Sequence, residues 1–258
     1  MYPDLVGKTA IVTGASKGIG KGIAERFGKE KMNVVVDYFT DPEGAEDTVA
    51  VIRENGGNAV AVKADVANEK SIAKLVEAAL ENFGSLDVLV NNAGFSESAP
   101  TEEMDLETWQ RVLDVNLTGA FIASREVLKY MSENKVQGSI VNITSVHQAI
   151  PKVDNVHYAV TKAGLKMMTE TLALEYADQG IRINAIGPGT IHTPANPAEE
   201  QEGEEQAKTM EKIPMKKIGK PKQIAAAAAW LVSEEADYVT GATLFVDGGM
   251  TLYPSQLK

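Results

Sequence analysis

A tyrosine and a lysine four residues apart, Tyr158 and Lys162, form the pair in this chain whose types and spacing best suit proton transfer. They lie in a stretch with helical periodicity, where residues four apart share one face with Cβ atoms roughly 5–6 Å apart. A free tyrosine, with a pKa of about 10, is a poor base at neutral pH, and a neighbouring ammonium favours its phenolate form. The spacing therefore predicts a tyrosine acid/base tuned by a lysine. By itself, the spacing also fits a core tyrosine beside a solvated lysine.

Ser145 is a second candidate for this chemistry. It ends an apolar segment, GSIVNITS, which the pattern predicts as a strand. Ligand sites in open α/β sheets gather at the carboxyl ends of the strands. The hydroxyl of Ser145 can donate to a substrate oxygen and hold that oxygen near Tyr158. A serine at this position can equally be a strand-end cap, so the residue alone does not decide between the two.

A glycine-rich turn, TGASKGIG, places Gly14, Gly18 and Gly20 between the first apolar segment and a predicted helix. Such a turn lets backbone N–H groups approach a pyrophosphate at the helix N-terminus. Glycine suits the turn because a Cβ would meet the ligand or force an unfavourable φ. The spacing G-x-x-x-G-x-G differs from the usual dinucleotide fingerprint G-x-G-x-x-G. A tight turn without a ligand is the alternative interpretation.

The elements that must position these residues alternate between apolar β-branched segments and longer amphipathic ones. Continuous apolar strands, each followed by a helix, are typical of a parallel sheet covered on both faces. The pattern predicts one α/β domain over residues 1–258, a Rossmann-like doubly wound parallel seven-stranded sheet with helices on both faces. One long helix is predicted over residues 106–131 and a second long helix begins at residue 156. The strands are predicted at residues 9–14, 33–38, 58–66, 86–94, 138–145, 181–189 and 242–249.

Composition excludes several classes of function. The formal net charge of -11 argues against binding a phosphate backbone, so no nucleic-acid partner is expected. The chain has no cysteine, which excludes disulfides and thiolate catalysis. No segment approaches the roughly 20 apolar residues of a membrane span, and the N-terminus does not resemble a signal peptide. We expect a cytoplasmic protein with no membrane partner, and no metal site, since its histidines are not at metal-ligand spacing.

Five motifs follow one another over nearly the whole chain: TGASKGIG at 13–20, NNAG at 91–94, Ser145, YAVTK at 158–162 and IGPG at 186–189. In this order they resemble the short-chain dehydrogenase/reductase family, whose phosphate-binding turn has the same glycine spacing. The resemblance implies hydride transfer between a small-molecule alcohol, sugar or ketone and a nicotinamide cofactor. It implies four catalytic roles: acid/base for Tyr158, pKa tuning and ribose contact for Lys162, substrate orientation for Ser145 and proton relay for Asn116.

The same resemblance implies a cofactor site mainly within residues 1–150. Asp65 and Val66 match the pair that contacts adenine, and the segment from Pro188 to Thr193 matches the one along the nicotinamide amide, which predicts transfer at the pro-S face. The full expected set is Gly14, Ser16, Lys17, Gly18, Ile19, Gly20, Asp37, Tyr38, Asp65, Val66, Asn92, Ala93, Gly94, Tyr158, Lys162, Pro188, Gly189, Ile191 and Thr193.

Two signals compete over which nicotinamide cofactor is used. Lys17, just before Gly18, can meet a 2′-phosphate and favours NADP. Asp37, at the end of the second predicted strand, can accept from a free ribose 2′-OH and would repel a phosphate. The family's usual acidic position for NAD aligns better with Tyr38. We therefore expect both NADP and NAD to be used, with the preference open.

The expected substrate contacts are Ser96, Ser145, His147 and Tyr158, under a lid over about residues 190–215. The resemblance is strongest to family members that oxidise glucose to gluconolactone, although those members carry a glutamate where this chain has Ser96. A ketoacyl or other carbonyl reductase of the same family is the alternative function. A non-catalytic dinucleotide-binding regulator is the alternative of another class.

The resemblance also implies a homotetramer. The two predicted long helices are long enough to pair across a dimer axis, although their apolar stripes fit an intrachain core as well. The C-terminal segment 251–258 is expected to reach a neighbouring subunit.

Overall fold

The computed structural model describes residues 1–200 and 202–252, and these are arranged around one parallel sheet. The strands are β1 (Thr9–Val12), β2 (Asn33–Tyr38), β3 (Asn58–Lys63), β4 (Val88–Asn91), β5 (Ser139–Ile143), β6 (Arg182–Pro188) and β7 (Thr243–Val246). They lie in the order β3-β2-β1-β4-β5-β6-β7. The sheet is parallel and has seven strands, as predicted. The expected intersubunit contact of the C-terminus falls mostly on residues 253–258, which are outside the described residues.

The order of strands reverses between β1 and β4, and this reversal positions the site. The connection leaving β1 leads to β2 on one side, whereas β4 and β5 follow on the other side. Loops from the carboxyl ends of β1 and β4 therefore separate and leave a crevice, where ligands bind in open α/β sheets. The sequence pattern predicts strands reaching Gly14, Gly94 and Ser145, but these residues lie in the loops that follow.

Helices cover both faces of the sheet. Several begin at a residue whose side chain accepts from the first-turn backbone, as Asp41, Asn68 and Asp105 do. No helix among the described residues has the length and apolar character required to span a bilayer. The helices are α1 (Gly18–Lys29), α2 (Pro42–Glu54), α3 (Glu69–Phe83), α4 (Leu106–Leu113), α5 (Gly119–Asn134), α6 (Val156–Tyr176), α7 (Gly203–Glu211) and α8 (Pro221–Val232).

Two buried apolar clusters hold these layers together. On one face, Phe27 of α1, Ile52 of α2 and Ile224 of α8 pack against the sheet. On the other face, Leu75 of α3 and Leu128 of α5 pack against alternate side chains of the same strands. The inner strands therefore bury apolar residues on both sides, which explains their continuous apolar sequence.

The prediction of a single long helix over residues 106–131 is wrong in one respect. The helical path runs from α4 into α5, but the connecting turn Asp114–Thr118 is π-helical. A π turn holds one more residue than an α turn and is frequent at functional sites. Asn116 lies in this turn, and its side chain hydrogen bonds to the backbone of Phe95 on the neighbouring loop and to the Thr161 hydroxyl.

Candidate active site

The carboxyl ends of β1, β4, β5 and β6 surround a cavity of about 930 Å³. It brings together nearly all the residues singled out from the sequence. Those that line it are Gly14, Ser16, Lys17, Gly18, Ile19, Asp37, Asp65, Val66, Asn92, Ala93, Gly94, Ser96, Ser145, His147, Tyr158, Lys162, Pro188, Gly189, Ile191 and Thr193. Gly20, Tyr38 and Asn116 are not part of this lining.

The glycine turn has no room for side chains. Gly14 and Gly18 have φ angles of +62° and +61°, which glycine adopts without strain. A Cβ on Gly20 would lie 2.4 Å from the carbonyl oxygen of Gly14, so this glycine permits the close return of the chain. Asn92, at the end of β4, donates to the carbonyl oxygen of Gly14 at 3.1 Å and ties the turn to the neighbouring strand.

The N-terminus of α1 is suited to an anionic group. Its N-cap residue, Lys17, makes no side-chain hydrogen bond to the first turn. Helix N-termini carry free N–H donors and a partial positive charge, which attract phosphate. Gly18 and Ile19 of this first turn line the cavity, with the Lys17 side chain beside them. The residues present therefore fit the pyrophosphate of a dinucleotide.

Asp37 does not have the geometry expected of it. Only 2% of the residue is exposed, and one carboxyl oxygen accepts from the Gly14 N–H at 3.0 Å. The other oxygen, Oδ1, is buried without a hydrogen-bond partner. Burial raises the pKa of Asp37 to about 7, against the lowering effect of the Gly14 and Ala64 N–H groups. Asp37 therefore has no exposed oxygen that could accept from a ribose hydroxyl, and its hydrogen bond with the Gly14 N–H supports the glycine turn.

Arg111 and Phe39 were not anticipated at the same end of the cavity. The guanidinium of Arg111, on α4, lies 6.0 Å from the ring centroid of Phe39 and 3.6 Å from the carboxylate of Asp65. Both residues line the cavity, as does Thr40, whereas Tyr38 does not. The sequence could have indicated Phe39, because it is an aromatic residue that directly follows β2. It could not have indicated Arg111, whose direction toward the cavity depends on the helix geometry. We call this region the Asp65 end of the cavity.

Tyr158, Lys162 and Ser145 meet at the opposite end, which we call the Tyr158 end. The Lys162 Nζ lies 5.5 Å from the Tyr158 ring centroid and donates to the carbonyl oxygen of Ile143 at 2.9 Å. The helical spacing on α6 therefore does place the two side chains together. Ser145 accepts from the His147 N–H at 3.1 Å through its hydroxyl oxygen.

The electrostatics of these groups follow from burial. Burial raises the pKa of the Tyr158 phenol above its ordinary value, and a hydrogen bond from Ser145 lowers it by a smaller amount. Burial lowers the pKa of Lys162 to about 8. The sequence predicts a lowered tyrosine pKa, whereas the surroundings of Tyr158 raise it, because desolvation of the phenolate outweighs the hydrogen bond from Ser145. The phenol is protonated at neutral pH.

Asn116 is buried behind this group. Its amide nitrogen donates to the Phe95 carbonyl at 2.8 Å, and its amide oxygen accepts from the Phe95 N–H at 3.0 Å. A Cβ on Gly94 would lie 3.0 Å from that oxygen and 3.7 Å from the Lys162 Nζ. The asparagine therefore fixes the loop after β4 close to the lysine, and both of its polar atoms are already engaged by protein.

His147 has a defined orientation beside the tyrosine. Its Nδ1 lies 3.0 Å from the carbonyl oxygen of Ile150, which can only accept, so this nitrogen carries the proton. The rings of His147 and Tyr158 form an edge-to-face pair with centroids 6.2 Å apart. Burial lowers the pKa of His147. Its Nε2 is consequently a neutral acceptor suited to a substrate hydroxyl.

Loops on two sides close the Tyr158 end. Ser96 and Ser98 hydrogen bond to the side chain of Asn155, which begins α6, and so tie the loop after β4 to the catalytic helix. On the other side, the chain after β6 passes over the glycine turn, where a Cβ on Gly18 would lie 3.5 Å from Thr193. Glu97 is exposed and does not line the cavity.

Comparison with known proteins identifies the family. A family model described as enoyl-(acyl carrier protein) reductase matches residues 14–251. Glucose 1-dehydrogenase 2 of Bacillus subtilis (strain 168) is 63% identical over 260 residues, covering 100% of this chain and 100% of that protein. The chain belongs to the short-chain dehydrogenase/reductase family. The resemblance inferred from the motifs is confirmed.

Other members of the short-chain dehydrogenase/reductase family differ in the substrates for which they are named. 3beta-hydroxysteroid dehydrogenase 1 of Eggerthella lenta is 52% identical, with 98% of this chain and 97% of that protein covered. A putative 2-deoxy-d-gluconate 3-dehydrogenase from Agrobacterium tumefaciens, solved with bound NADP, is 34% identical with a TM-score of 0.88, covering 97% of this chain and 98% of that chain. The protein is an NAD(P)-dependent oxidoreductase of this family, and the preference between the two cofactors is open.

Proposed function

We propose that the protein is a sugar dehydrogenase that oxidises the C1 hydroxyl of glucose to gluconolactone. The observation that carries this proposal is the meeting of Tyr158, Lys162 and Ser145 at one end of a cavity whose other end fits a dinucleotide. The substrate assignment is supported by the Bacillus subtilis relative, which is named for glucose. The neutral acceptor His147 suits a polyhydroxylated substrate, because it can take a hydrogen bond from a sugar hydroxyl.

In the proposed reaction, Ser145 donates to the reacting sugar oxygen and holds it against the phenolic oxygen of Tyr158. The bound nicotinamide cofactor supplies the hydride acceptor. Tyr158 must lose its own proton before it can take the proton of the C1 hydroxyl. The ammonium of Lys162 favours this phenolate by its charge, and the hydrogen bond from Ser145 favours it further.

We assign Asn116 a positioning role in this reaction. Its two hydrogen bonds to Phe95 keep the loop after β4 beside Lys162, which itself is held by the Ile143 carbonyl. In this arrangement the proton relay expected from the resemblance runs through Lys162. Asn116 keeps the loop beside that path in place.

We also propose that residues 1–258 form one domain with separate regions for the cofactor and the substrate. Residues 1–150 hold most of the cofactor, and the segment at about 190–215 closes over the substrate. The exposed helix α7 lies within that segment, which fits a part that moves when substrate enters. A homotetramer in the cytoplasm is the proposed working form.

A second candidate function is reduction of a ketoacyl compound or another carbonyl. It is favoured by the raised pKa of Tyr158, which keeps the phenol protonated and ready to donate to an alkoxide, and by the family description, which names a reductase. Following absorbance of the reduced cofactor with glucose and with a panel of ketones separates the two. If the ketones of this panel are reduced faster than glucose is oxidised, the reductase function is favoured.

The proposal is tested by replacing Tyr158 with phenylalanine. Removal of the hydroxyl removes the group assigned to accept the proton of the reacting hydroxyl, so we expect kcat for glucose oxidation to fall by about 10³-fold or more. Cofactor binding, measured by fluorescence quenching of the protein, should change little because the glycine turn is untouched. Phe27 is fully buried and does not line the cavity, so a Phe27→Leu variant controls for general loss of stability. Turnover close to that of the unaltered protein in folded Tyr158→Phe would refute the assignment.

A further inference from the structure

The Tyr158 end of the cavity is lined by more positive charge than the reaction requires. Lys152 and Lys212 line it in addition to Lys162, and they come from different parts of the fold. Lys152 lies in the loop before α6, and Lys212 is the residue that ends α7. The proposed mechanism uses neither of them.

Both lysines face the catalytic group. The Lys152 Nζ lies 5.6 Å from the ring centroid of Tyr158, close to the distance found for Lys162. The charges of Lys152 and Lys212 each contribute to lowering the pKa of His147, after the larger effect of burial. The two ammonium groups therefore surround the position that a substrate occupies beside His147 and Tyr158.

No carboxylate of the described chain balances them there. Among the described residues that line the cavity, the acidic ones are Asp37 and Asp65, and both lie at the Asp65 end. Asp65 is already paired with Arg111 at 3.6 Å. The Tyr158 end is thus a cationic region in a protein whose formal net charge is -11.

Nearby lysines of the same segment behave differently. Lys208 pairs with Glu204 at 2.7 Å, and Lys220 pairs with Glu199 at 3.2 Å. Within the described residues, neither Lys152 nor Lys212 has a carboxylate within ion-pair distance. Like charges at one end of a cavity repel one another, and a bound anion relieves that repulsion.

We propose that the preferred substrate is an anionic polyol, a sugar or sugar derivative whose carboxylate or phosphate lies between Lys152 and Lys212. The inference rests on the proposed sugar dehydrogenase function and specifies the class of its substrate. The hydroxyl that reacts is still held by Ser145 and Tyr158. The anionic group takes no part in the chemistry and gives affinity and orientation.

The experiment compares kcat/KM for glucose, glucose 6-phosphate and glucuronate in the unaltered protein and in Lys152→Met and Lys212→Met. We expect at least one of the two anionic compounds to exceed glucose, and the phosphate and carboxylate arms identify which group is preferred. Each substitution should lower the ratio of anionic to neutral kcat/KM about threefold to fivefold, as expected for a partly exposed charge pair. Added sodium chloride should lower the same ratio, since salt screens exposed charges.

Lys217→Met is the matched control, because Lys217 is an exposed lysine of the same segment that does not line the cavity. Its ratio should equal that of the unaltered protein. The inference would be overturned if glucose is oxidised as efficiently as both anions and if the ratio of anionic to neutral kcat/KM is unchanged in Lys152→Met and Lys212→Met. That result would leave the dehydrogenase function intact. Equal losses for neutral and anionic substrates in Lys152→Met would overturn it too, since that result assigns Lys152 to tuning Tyr158.

Oxidation of none of the three compounds would refute the proposed function, and binding then decides the inference. Calorimetric titration of glucuronate and of glucose 6-phosphate into the protein saturated with NAD⁺ measures affinity without turnover. Tighter binding of an anion than of glucose, weakened in the Lys212→Met variant, would support the cationic site. Affinity for the anions no greater than for glucose would overturn it.

Discussion

At the scale of single residues, burial sets the protonation of the two most informative acids. Tyr158 and Asp37 both have a pKa raised by desolvation, at opposite ends of one cavity. Tyr158 has the Ser145 hydroxyl beside it, which makes deprotonation easier. Asp37 accepts from the Gly14 N–H with one oxygen and keeps the other without a partner. One group is thus placed for proton transfer and the other for support of the backbone.

The raised pKa of Tyr158 predicts a pH dependence for the oxidation. The phenol must be deprotonated to accept the substrate proton, so kcat/KM for glucose should rise about tenfold per pH unit up to about pH 8 and less steeply above it, where Lys162 loses its charge. Carbonyl reduction, which needs the protonated form, should stay nearly constant while the phenol is protonated and fall only at the higher pH where the phenol ionises. Steady-state rates measured between about pH 6 and about pH 10 test this.

Ser145→Ala gives the internal control for that profile. Without the hydrogen bond that lowers the pKa of Tyr158, the rise in the oxidation rate should move to higher pH. A profile that is flat in the unaltered protein, or one that keeps the same midpoint in Ser145→Ala, would contradict the assignment of the phenol as base.

Asp37 predicts a pH dependence of stability. Its pKa is about 7 when folded against 3.8 for the ordinary carboxyl group, so folding favours its protonated form. The stabilising contribution of that form is complete below the unfolded pKa and is lost as the pH rises through about 7. Asp37→Asn keeps an oxygen for the Gly14 N–H and removes the buried charge. It should raise the free energy of unfolding at pH 8 by roughly 2 kcal/mol.

Urea unfolding at about pH 5 and about pH 8 measures this effect. The difference between Asp37→Asn and the unaltered protein should be larger at the higher pH. Asp178→Asn, which changes an exposed carboxylate, should show no such difference. If Asp37→Asn destabilises the protein equally at both pH values, then burial of the Asp37 charge has no cost in the free energy of folding.

The sequence could predict which residue types meet at the Tyr158 end, because helical spacing places Tyr158 and Lys162 on one face. It could not predict the direction of the tyrosine pKa, which depends on how much solvent the fold removes. The same is true of Asp37: its position at a strand end is readable, whereas the burial of its carboxylate beneath Gly14 is a tertiary fact.

At the scale of elements, the glycine turn and the end of β4 act as one unit. Asn92 donates to the carbonyl oxygens of Thr13 and Gly14. Its neighbour Asn91 donates to Asn142 of β5 at 2.8 Å, and Asn142 donates to Thr169 of α6 at 2.9 Å. This buried chain links the strands under the cofactor site to the catalytic helix, so that the two ends of the cavity keep a fixed distance.

A substitution in the turn tests that unit. In Gly20→Ala, the new Cβ would lie 2.4 Å from both the Asn92 amide nitrogen and the Gly14 carbonyl oxygen. The turn must shift, so we expect the free energy of unfolding to fall by about 1–3 kcal/mol and cofactor affinity to fall by about tenfold. Urea unfolding and fluorescence titration measure the two effects. Lys29→Ala, exposed on the same helix, should leave both unchanged, and unaltered cofactor affinity in Gly20→Ala would contradict the proposed role of the turn.

The elements themselves were largely readable from periodicity. Apolar runs predicted the strands because the inner ones are buried on both faces, and the confirmed fold class follows from the regular alternation of strands with helices. The boundaries at the carboxyl ends were less readable, since the residues after Val12, Asn91 and Ile143 turn into loops that line the cavity. The π-helical turn left no signal in hydrophobic spacing; Asn116 in this turn bonds to Phe95, which is distant in sequence.

At the scale of the whole molecule, the outer face of α6 carries exposed apolar side chains at a spacing of seven residues. Met167 is 58% exposed and Leu174 is 84% exposed, in line with Val160 on the same helix. Phe121 of α5 is also exposed. Apolar residues seven apart form a stripe suited to a second helix, which supports the proposed homotetramer built partly through these helices.

Replacing Met167 and Leu174 together with glutamate should break that contact. The stripe would then carry charges that a second copy cannot bury, so we expect smaller species in light scattering coupled to size-exclusion chromatography. The circular dichroism spectrum should be unchanged because both side chains are exposed within one subunit. Glu175→Ala on the same helix is the control. A molar mass unaffected by the double substitution would place the interface elsewhere.

The extra residue in the turn Asp114–Thr118 constrains how this chain can change in length. Because a π turn takes up one residue more than an α turn, α4 and α5 keep their relative phase across it. Deleting one residue there would let the two helices join as regular α-helix, which would leave Arg111 directed toward Asp65 but would remove the turn from which Asn116 reaches Phe95. A single-residue deletion would therefore disturb the loop beside Lys162 while sparing the Asp65 end of the cavity.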